Sequence, residues 1–385
     1  MKVLFIGLAS HYTEGMTYQD NMLAKQCLQD GNEVFYISDD RCYCGGELVR
    51  VNTGYEVLSD GLKLYRVKYD YIVNPFVTDK LRSCKKIYEI IELIAPDILF
   101  IHGPNTIAVW DIVKYLKKHP KVLLYADSHA DYYTSGTNFF SRAVLHGVIY
   151  RITYNKCLKY ADKLFCISVN CMKFAEEIYK IPKHKLELYL LGGEVWEKSE
   201  LDARRRIIRR QYNWSDTDIV FFQAGKIDAA KCLLESLEEF IKFTNADWKY
   251  IVAGSVAPDI EEDLEKLRKQ DSRVDYIGWK SGNELMDCLA ACDVYLQPGK
   301  VSALAQNAIC MGAAVALRKF EDYKIMVDGN GWLLDKPEDV YKVFKDISEK
   351  EIDLNAFRNK SYEQAQELLS YEKRTERLYC QEVLK

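Results

Sequence analysis

The sequence lacks any apolar run approaching the roughly 20 residues that cross a bilayer, so no membrane-spanning helix is expected. It lacks a signal-peptide pattern as well. Met1-Lys2-Val3-Leu4-Phe5-Ile6-Gly7 turns polar too soon for one and reads as a buried first strand. Charge of one sign is scarce: the formal net charge is −4 over 385 residues, which gives no global electrostatic reason to expect nucleic acid as a partner. No compositionally biased tract interrupts the chain, and 48% of it is hydrophobic, so it should be globular throughout. Metal-ligand spacing is missing too. The twelve cysteines are scattered singly through expected strands and helices, as at Cys157, Cys166, Cys171, Cys288, Cys292 and Cys310. The closest pair, Cys42-Tyr43-Cys44, has no second pair at zinc spacing. They read as incidental thiols of a reducing compartment, and the expected localisation is cytoplasmic. No Asp-x-Asp motif falls in a suitable loop, so neither a metal nor a cofactor is expected.

The length suggests two domains, and the pattern divides accordingly. Short apolar runs alternate with helical periodicity: strand Val3–Gly7, helix Gln19–Leu28, strands Glu33–Ser38 and Leu64–Val67, a helix near Lys80–Ala95, strand Ile98–Ile101, a helix near Ile107–Lys118, strand Val122–Ala126, a long helix over about Phe139–Lys159, and strand Lys163–Ile167. Runs apolar over four or five residues suit parallel strands covered on both faces. The alternation implies right-handed βαβ units in a doubly wound sheet. The rhythm breaks near Leu191-Gly192-Gly193. A charged helix, about Glu200–Tyr212 with Ser199 as N-cap, carries Arg204-Arg205-Arg206 and Arg209-Arg210 and reads as a solvated connector, phosphate or lipid contact being the rarer alternative. Alternation then restarts with strands Ile219–Gln223, Tyr250–Ala253, Val274–Ile277, Val294–Gln297 and Ala314–Leu317. The fold class is therefore α/β, with two Rossmann-like doubly wound domains: 1–195, and 196–363. A final helix, 364–385, returns to the first domain.

Open parallel sheets bind ligands at the carboxyl ends of their strands, so the strand-to-helix loops carry the chemistry. In the second domain Ala224-Gly225-Lys226 leads to Lys231, with two ammonium groups five residues apart before a helix N-terminus. Such lysines are commonly just solvated, but here they could also hold a diphosphate as point charges. Pro298-Gly299-Lys300-Val301-Ser302 forms the second loop, with Ser302 a candidate N-cap whose neighbouring N–H groups could face phosphate. Gln306 and Asn307 lie one turn into the following helix, where a polar pair serves either a structural hydrogen bond or ribose recognition.

Taken in order, Gly225-Lys226-x4-Lys231, Tyr276-Ile277-Gly278-Trp279, Ala291-Cys292-Asp293-Val294-Tyr295-Leu296-Gln297-Pro298, Asn307-Ala308-Ile309-Cys310-Met311-Gly312 and Val327-Asp328-Gly329-Asn330-Gly331 resemble the retaining GT-B enzymes of glycosyltransferase family 4, over nearly the whole chain. The resemblance implies two domains facing across a cleft and a nucleotide-diphosphate sugar as donor. It implies that Lys226, standing where the family usually has arginine, and Lys231 hold the diphosphate. The sequence departs from the family at its Glu-x7-Glu pair, which falls on Gly299 and Asn307. Asn307 can still bond ribose; Gly299 cannot touch the sugar with a side chain. The Gln306-Asn307 form is similar to a subgroup associated with bacterial surface polysaccharide (capsule, O-antigen, lipopolysaccharide).

In the first domain, Asp127-Ser128-His129-Ala130-Asp131 follows the strand Val122–Ala126. The resemblance implies a histidine near the donor sugar here, which fits His129. Asp127 and Asp131 would orient it or contact acceptor hydroxyls, though the string is also turn chemistry. Glu14 and Gly15, in the loop after the first strand, are acceptor-contact candidates. The helix over 139–163 mixes Phe139, Phe140, Val144, Val148, Ile149, Ile152 and Tyr154 with Arg142, Arg151, Lys156 and Lys159. It is either a core-facing helix with a wet basic side or a peripheral contact with the inner face of the plasma membrane, the latter suiting a glycan carried on a polyprenol. The expected activity is transfer of a sugar to such an acceptor with retention. The alternatives are a catalytically degenerate nucleotide-sugar-binding partner protein, a sugar-nucleotide epimerase, and transfer of a non-sugar group.

Overall fold

The computed structural model describes residues 1–44, 47–133 and 135–379. The chain divides into two compact units: Met1–Leu191 together with the segment beginning at Arg374, and Gly192–Lys373.

The first unit is built on an eight-stranded sheet. Its strands are β1 (Lys2–Gly7), β2 (Glu33–Asp39), β5 (Gly54–Val57), β6 (Lys63–Val67), β7 (Ile98–His102), β8 (Leu123–Ser128), β9 (Leu164–Cys166) and β10 (Leu186–Leu188), while β3 (Arg41–Cys44) and β4 (Glu47–Arg50) form a separate hairpin. The order is β10-β9-β8-β7-β1-β2-β6-β5, and only β5 runs antiparallel to its neighbour. The strands of the sheet's middle are apolar on both faces because helices cover both sides: Ile98, Leu99, Phe100 and Ile101 are all fully buried. The chain runs outward from β1 in one direction, then returns to lay β7 on its other side. The switch point therefore lies between β1 and β7.

The second unit repeats the plan with β11 (Ile219–Ile227), β12 (Trp248–Val256), β13 (Val274–Tyr276), β14 (Val294–Gln297), β15 (Ala314–Arg318) and β16 (Gly331–Leu334), in the order β13-β12-β11-β14-β15-β16, all parallel. An aromatic cluster of Phe221, Phe240, Trp248 and Phe344 fills one side of this sheet, with ring centroids 5.0 to 6.2 Å apart. The switch point lies between β11 and β14. Their pairing is confined to Phe221↔Val294 and Phe222↔Tyr295, so the two strands part before their carboxyl ends.

Several sequence expectations need correction. The helix near Lys80–Ala95 is two helices, Pro75–Leu81 and Lys86–Ile94: Asn74 caps the first through Val77 N–H, and Arg82 ends it in the left-handed region at φ 50°. The long helix is a π-helix over Ser141–Tyr150 continued as α over Arg151–Cys157. Gly147 accommodates the wide turn, since a Cβ there would lie 3.0 Å from Arg142 O. Ser199 is no N-cap; the charged helix starts two residues earlier than expected and runs Lys198–Gln211, with Glu197 at the N-cap position making no side-chain cap bond. That helix is solvated on one side only, through Arg204, Arg206 and Arg210. Arg209 is buried and Arg205 nearly so, and both pair with Asp293, whose Oδ2 also accepts from Val220 N–H at 2.8 Å. Their guanidinium groups further donate to the carbonyls of Ala291 and Cys292. The arginine run thus ties the helix to the amino-terminal edge of the second sheet. The final helix is broken: Leu354–Gln364 continues as a π-turn over Ala365–Leu369, Ser370 is extended and bridges to Gly193, and Tyr371–Tyr379 follows. Residues 380–385 of the expected 364–385 helix lie outside the described residues. The described cysteines are all free thiols, most of them buried. Among the described residues no helix is long and apolar enough to cross a membrane.

Candidate active site

In the second unit the basic residues gather at the switch point. Gly225 and Lys226, expected in a loop, are still in β11, which extends to Ile227 in register with β12. The extension depends on a glycine pair. Gly225 and Gly254 sit side by side at φ 114° and 126°, and a Cβ on Gly254 would come within 1.9 Å of Gly225 O. The chain then turns through Asp228 and a short 3₁₀ turn, Ala229–Lys231. Lys231 is 3% exposed. Its Nζ lies 3.4 Å from Gln297 Oε1 and 3.9 Å from the point a Cβ on Gly225 would occupy. A side chain at 225 would crowd the ammonium group. Burial, followed by the neighbouring charge of Lys300, draws the Lys231 pKa down to about 8, against the opposing pull of Asp228.

Where β11 and β14 part, glutamines replace the ladder. Gln223 Nε2 donates to Lys231 O at 2.9 Å, the Tyr250 hydroxyl lies 2.8 Å from both Gln223 Oε1 and Ser236 Oγ, and Tyr295 donates to Gln297 Oε1 at 2.6 Å. Gln297 Nε2 donates to Lys300 O, and Lys300 pairs with Asp228. That pairing holds the Asp228 carboxyl below the usual carboxylate range, with Lys231 and Lys226 adding to it. Lys226 itself is exposed. The loop after β14 is pressed against the loop after β11: a Cβ on Gly299 would meet Ala230 O at 2.2 Å and Lys231 C at 2.6 Å. Gly299 is therefore demanded by the approach of two backbones, and no carboxylate side chain fits there. Ser302 does not cap the helix that follows in the expected manner. Ala303 is the N-cap of Leu304–Cys310, Ser302 N–H donates to the Tyr323 hydroxyl at 2.8 Å, and Ser302 Oγ takes Leu304 N–H at 3.4 Å. These two N–H groups are engaged within the protein. Gln306 is buried and Asn307 half-buried, with Asn307 Oδ1 close to Gly193.

In the first unit a histidine–aspartate cluster closes the carboxyl ends of β7 and β8. Asp127 belongs to β8 itself, paired with His102 of β7, and is fully buried. Its Oδ2 accepts from His102 Nδ1 at 2.9 Å and His129 Nε2 at 3.1 Å, and its Oδ1 from Gly103 N–H at 3.0 Å. Burial alone would raise the Asp127 pKa; the charges and hydrogen bonds of the two imidazoles outweigh it and hold the carboxyl well below the carboxylate range. His129 feels the converse. Burial pulls its pKa down, but Asp127, with help from Asp20, raises it above 6.5. The His129 side chain is 45% exposed, so the imidazole combines a buried anchor with an open edge. Asp131 has the turn chemistry: its Oδ1 accepts from Tyr133 N–H at 2.9 Å. The orienting carboxylate is Asp127. One ligand atom each from His102, Asp127 and His129 lies within 4.8 Å of the others, so the three could also hold a metal ion. The hydrogen bonds to Asp127 already account for two of the three groups' contacts.

β1 ends at Gly7, where a Cβ would strike the Tyr36 hydroxyl at 2.0 Å, and the chain then turns at His11, whose Nδ1 meets Asp39 at 2.9 Å. Glu14 is exposed and accepts from Ser59 Oγ at 2.8 Å. Gly15 serves a left-handed turn (φ 79°) with nothing within 4 Å of a Cβ, rather than a close backbone approach. The sequence reading missed His102, Asp20, Lys300 and Asp228. The one signal for His102 was its place as the first ionisable residue after the apolar run Ile98–Ile101, on the strand beside β8.

No protein-family model matches the chain, and no curated protein matches it in sequence. Solved structures do match it in shape. HepE from Anabaena, in complex with UDP, superposes with a TM-score of 0.62 at 12% identity, covering 98% of this chain and 99% of that one. A glycosyltransferase from Rickettsia africae gives 0.62 at 14% identity over 100% and 98%. WaaG, a glycosyltransferase involved in lipopolysaccharide biosynthesis, gives 0.57 at 14% identity over 98% of both chains. At such identities the likeness speaks for the fold, and the fold of this chain is GT-B: two doubly wound units, matched from end to end by glycosyltransferases.

Proposed function

We propose that the protein is a retaining glycosyltransferase of the family 4 kind, moving a sugar from a nucleotide-diphosphate donor to a glycan or polyprenol-linked acceptor in the assembly of a bacterial surface polysaccharide. The observation that carries this reading is the buried ammonium of Lys231 at the β11/β14 switch point, flanked by Lys226 and Lys300 and fronted by Gly225. Keeping Lys231 charged against its burial costs about 3 kcal/mol, taking its fall from 10.5 to about 8 at the usual conversion. An anion beside it removes that cost. The HepE structure, bound to UDP, is consistent with a nucleoside diphosphate as that anion.

In this reading Lys226, Lys231 and Lys300 hold the diphosphate, Lys300 exchanging Asp228 for a phosphate oxygen. Asn307 and Gln306 face the ribose. His129 is assigned to a sugar hydroxyl by the family resemblance, and Glu14 is the acceptor-contact candidate. The bond from the sugar's anomeric carbon to the β-phosphate oxygen breaks, the acceptor oxygen bonds that carbon from the same face, and the acceptor's proton passes to the departing phosphate. The lysines stabilise the charge that develops, and the remaining task is positioning. No step requires a metal.

The test is thermal unfolding against a panel of nucleotides and nucleotide sugars. A matching ligand at about 100 times its dissociation constant adds roughly 2.7 kcal/mol of stability, and Lys231→Ala should abolish the shift. A folded protein that no nucleotide stabilises would sink the proposal. One observation favours a second reading, a non-catalytic nucleotide-sugar-binding partner: the close packing at Gly299 leaves no space for the family's carboxylate. A donor that stabilises the protein yet is never turned over with any extracted acceptor would support that reading instead.

A further inference from the structure

The second unit has a cavity away from its switch point. It lies between the helices Lys198–Gln211 and Leu354–Gln364, beside Asp293 and therefore at the amino-terminal edge of the β11–β16 sheet. Lys231 stands at the other end, where β11 and β14 part. Each helix turns one face into the cavity: Lys198, Asp202 and Arg205 from the first, Asn355, Arg358 and Asn359 from the second, at the spacings of a single helical stripe. Two packed helices ordinarily close such a seam with apolar side chains. Here about 230 Å³ is left open, and Ala290 and Gly312 on its wall are too small to fill it. Gly312 follows the helix Leu304–Cys310 in the left-handed region, at φ 68°, a place that favours glycine.

The charge of this lining is unbalanced. Three cations line the cavity, against the one exposed carboxylate of Asp202. Asp293, behind them, already takes Arg205 and Arg209 at 2.5 and 2.6 Å and the Val220 N–H at 2.8 Å. Arg358 is the third guanidinium on that carboxylate and the most distant, at 3.8 Å. Its Nε is buried and has no hydrogen-bond partner among the described residues. Burial, then the charge of Arg205, pull the Arg358 pKa down. Lys198 Nζ donates to the neutral Asn359 Oδ1 at 2.8 Å. We propose that this cavity binds a small phosphomonoester, its phosphate held by Arg358 and Lys198 and its hydroxyl groups by the amides of Asn355 and Asn359. A guanidinium with a spare N–H and an ammonium group give phosphate a fork and a point charge. The two amides offer donor and acceptor together, as a polyol needs. The volume lies below the roughly 300–1,000 Å³ of drug-sized pockets, which suits a monosaccharide phosphate and not a nucleotide sugar. The cavity shares no residue with the donor site, so the proposal is independent of the transferase reading.

Calorimetric titration of the full-length protein with glucose 1-phosphate, at an ionic strength fixed with sodium chloride, tests it. Saturable binding is expected, and inorganic phosphate should compete for the same place because it supplies the charged half of the ligand. A sugar phosphate could also enter beside Lys231, so the titration is repeated in Lys231→Ala, where binding should persist. Arg358→Gln should weaken binding by at least about tenfold, the usual loss for one charge-assisted hydrogen bond. Lys198→Glu with Asn355→Asp reverses the charge at two exposed positions and should abolish binding. Both lie in the first turn of their helices, where acidic residues are tolerated, so the unfolding temperature should match the parent. That pair decides the matter should Arg358→Gln fold poorly. No saturable binding of either glucose 1-phosphate or inorganic phosphate, binding that disappears in Lys231→Ala, or binding unchanged in the Lys198→Glu/Asn355→Asp pair would each overturn the proposal.

Discussion

At the scale of single residues, the informative side chains are those whose surroundings oppose their charge. Asp127 is buried yet anionic because three donors converge on it, and its charge in turn keeps the His129 imidazole protonated at higher pH than usual. In Asp127→Asn only Asp20 still opposes the effect of burial, so the His129 pKa should fall below its parent value; an NMR titration of the imidazole protons reads this directly. The stability linkage has two limbs. His129, with its pKa raised, contributes stability that is complete below its ordinary 6.5 and is lost as pH climbs through its folded value. Asp127, with its pKa lowered, contributes stability that is complete above its ordinary 3.8 and is lost as pH falls through its folded value. Lys231 gives a third expectation. With its pKa near 8 in the free protein, affinity for a nucleoside diphosphate should weaken as pH rises past 8. Calorimetric titration from pH 7 to 9.5 checks it; affinity independent of pH over that range would mean Lys231 does not touch the ligand.

At the scale of elements, the helix Lys198–Gln211 shows how misleading a charge run is when read without its partners. Arg205 and Arg209 converge on Asp293, which also receives the Val220 N–H, so one carboxylate joins a helix, the start of β11 and the turn before β14. Removing one member of a buried ionic network leaves the others uncompensated, at about 3–5 kcal/mol. Asp293→Asn should lower the stability of the second unit by that order in denaturant melts, and a loss under 1 kcal/mol would show that water has access to the cluster. The same scale explains the boundaries that pattern reading misplaced. Apolar runs mark where a strand is covered, whereas β8 and β11 continue into polar residues, Asp127-Ser128 and Gly225-Lys226, because the neighbouring strands continue beside them. The π-turns at Ser141–Tyr150 and Ala365–Leu369 left no mark in periodicities of 3.6.

For the whole molecule, the alternation of short apolar runs and helices was enough to specify two doubly wound sheets, because parallel strands buried on both faces must be apolar and must be linked by crossovers. The strand order, and with it the switch point between β11 and β14 where Lys231 stands, is read from the structure. Partnerships across the sheet were not legible. His102 joins Asp127, and Lys300 joins Asp228, through contacts 25 and 72 residues apart in sequence, and one sequence carries no sign of which distant residues meet. The metal requirement is likewise a matter for experiment. Excess chelator should leave nucleotide-induced stabilisation and turnover intact; loss of either, restored by a divalent ion, would recast His102, Asp127 and His129 as metal ligands.

The inner end of that cluster has a consequence for proton traffic. His102 passes its Nδ1 to Asp127, but its Nε2 is buried and meets no hydrogen-bond partner among the described residues. Asp127, held ionised well below the usual carboxylate range, does not take the proton up, so one arriving at the exposed edge of His129 stays on that imidazole. Such an arrangement stores charge without conducting it, which suits a group that steadies a substrate through a reaction more than one that relays protons to bulk water.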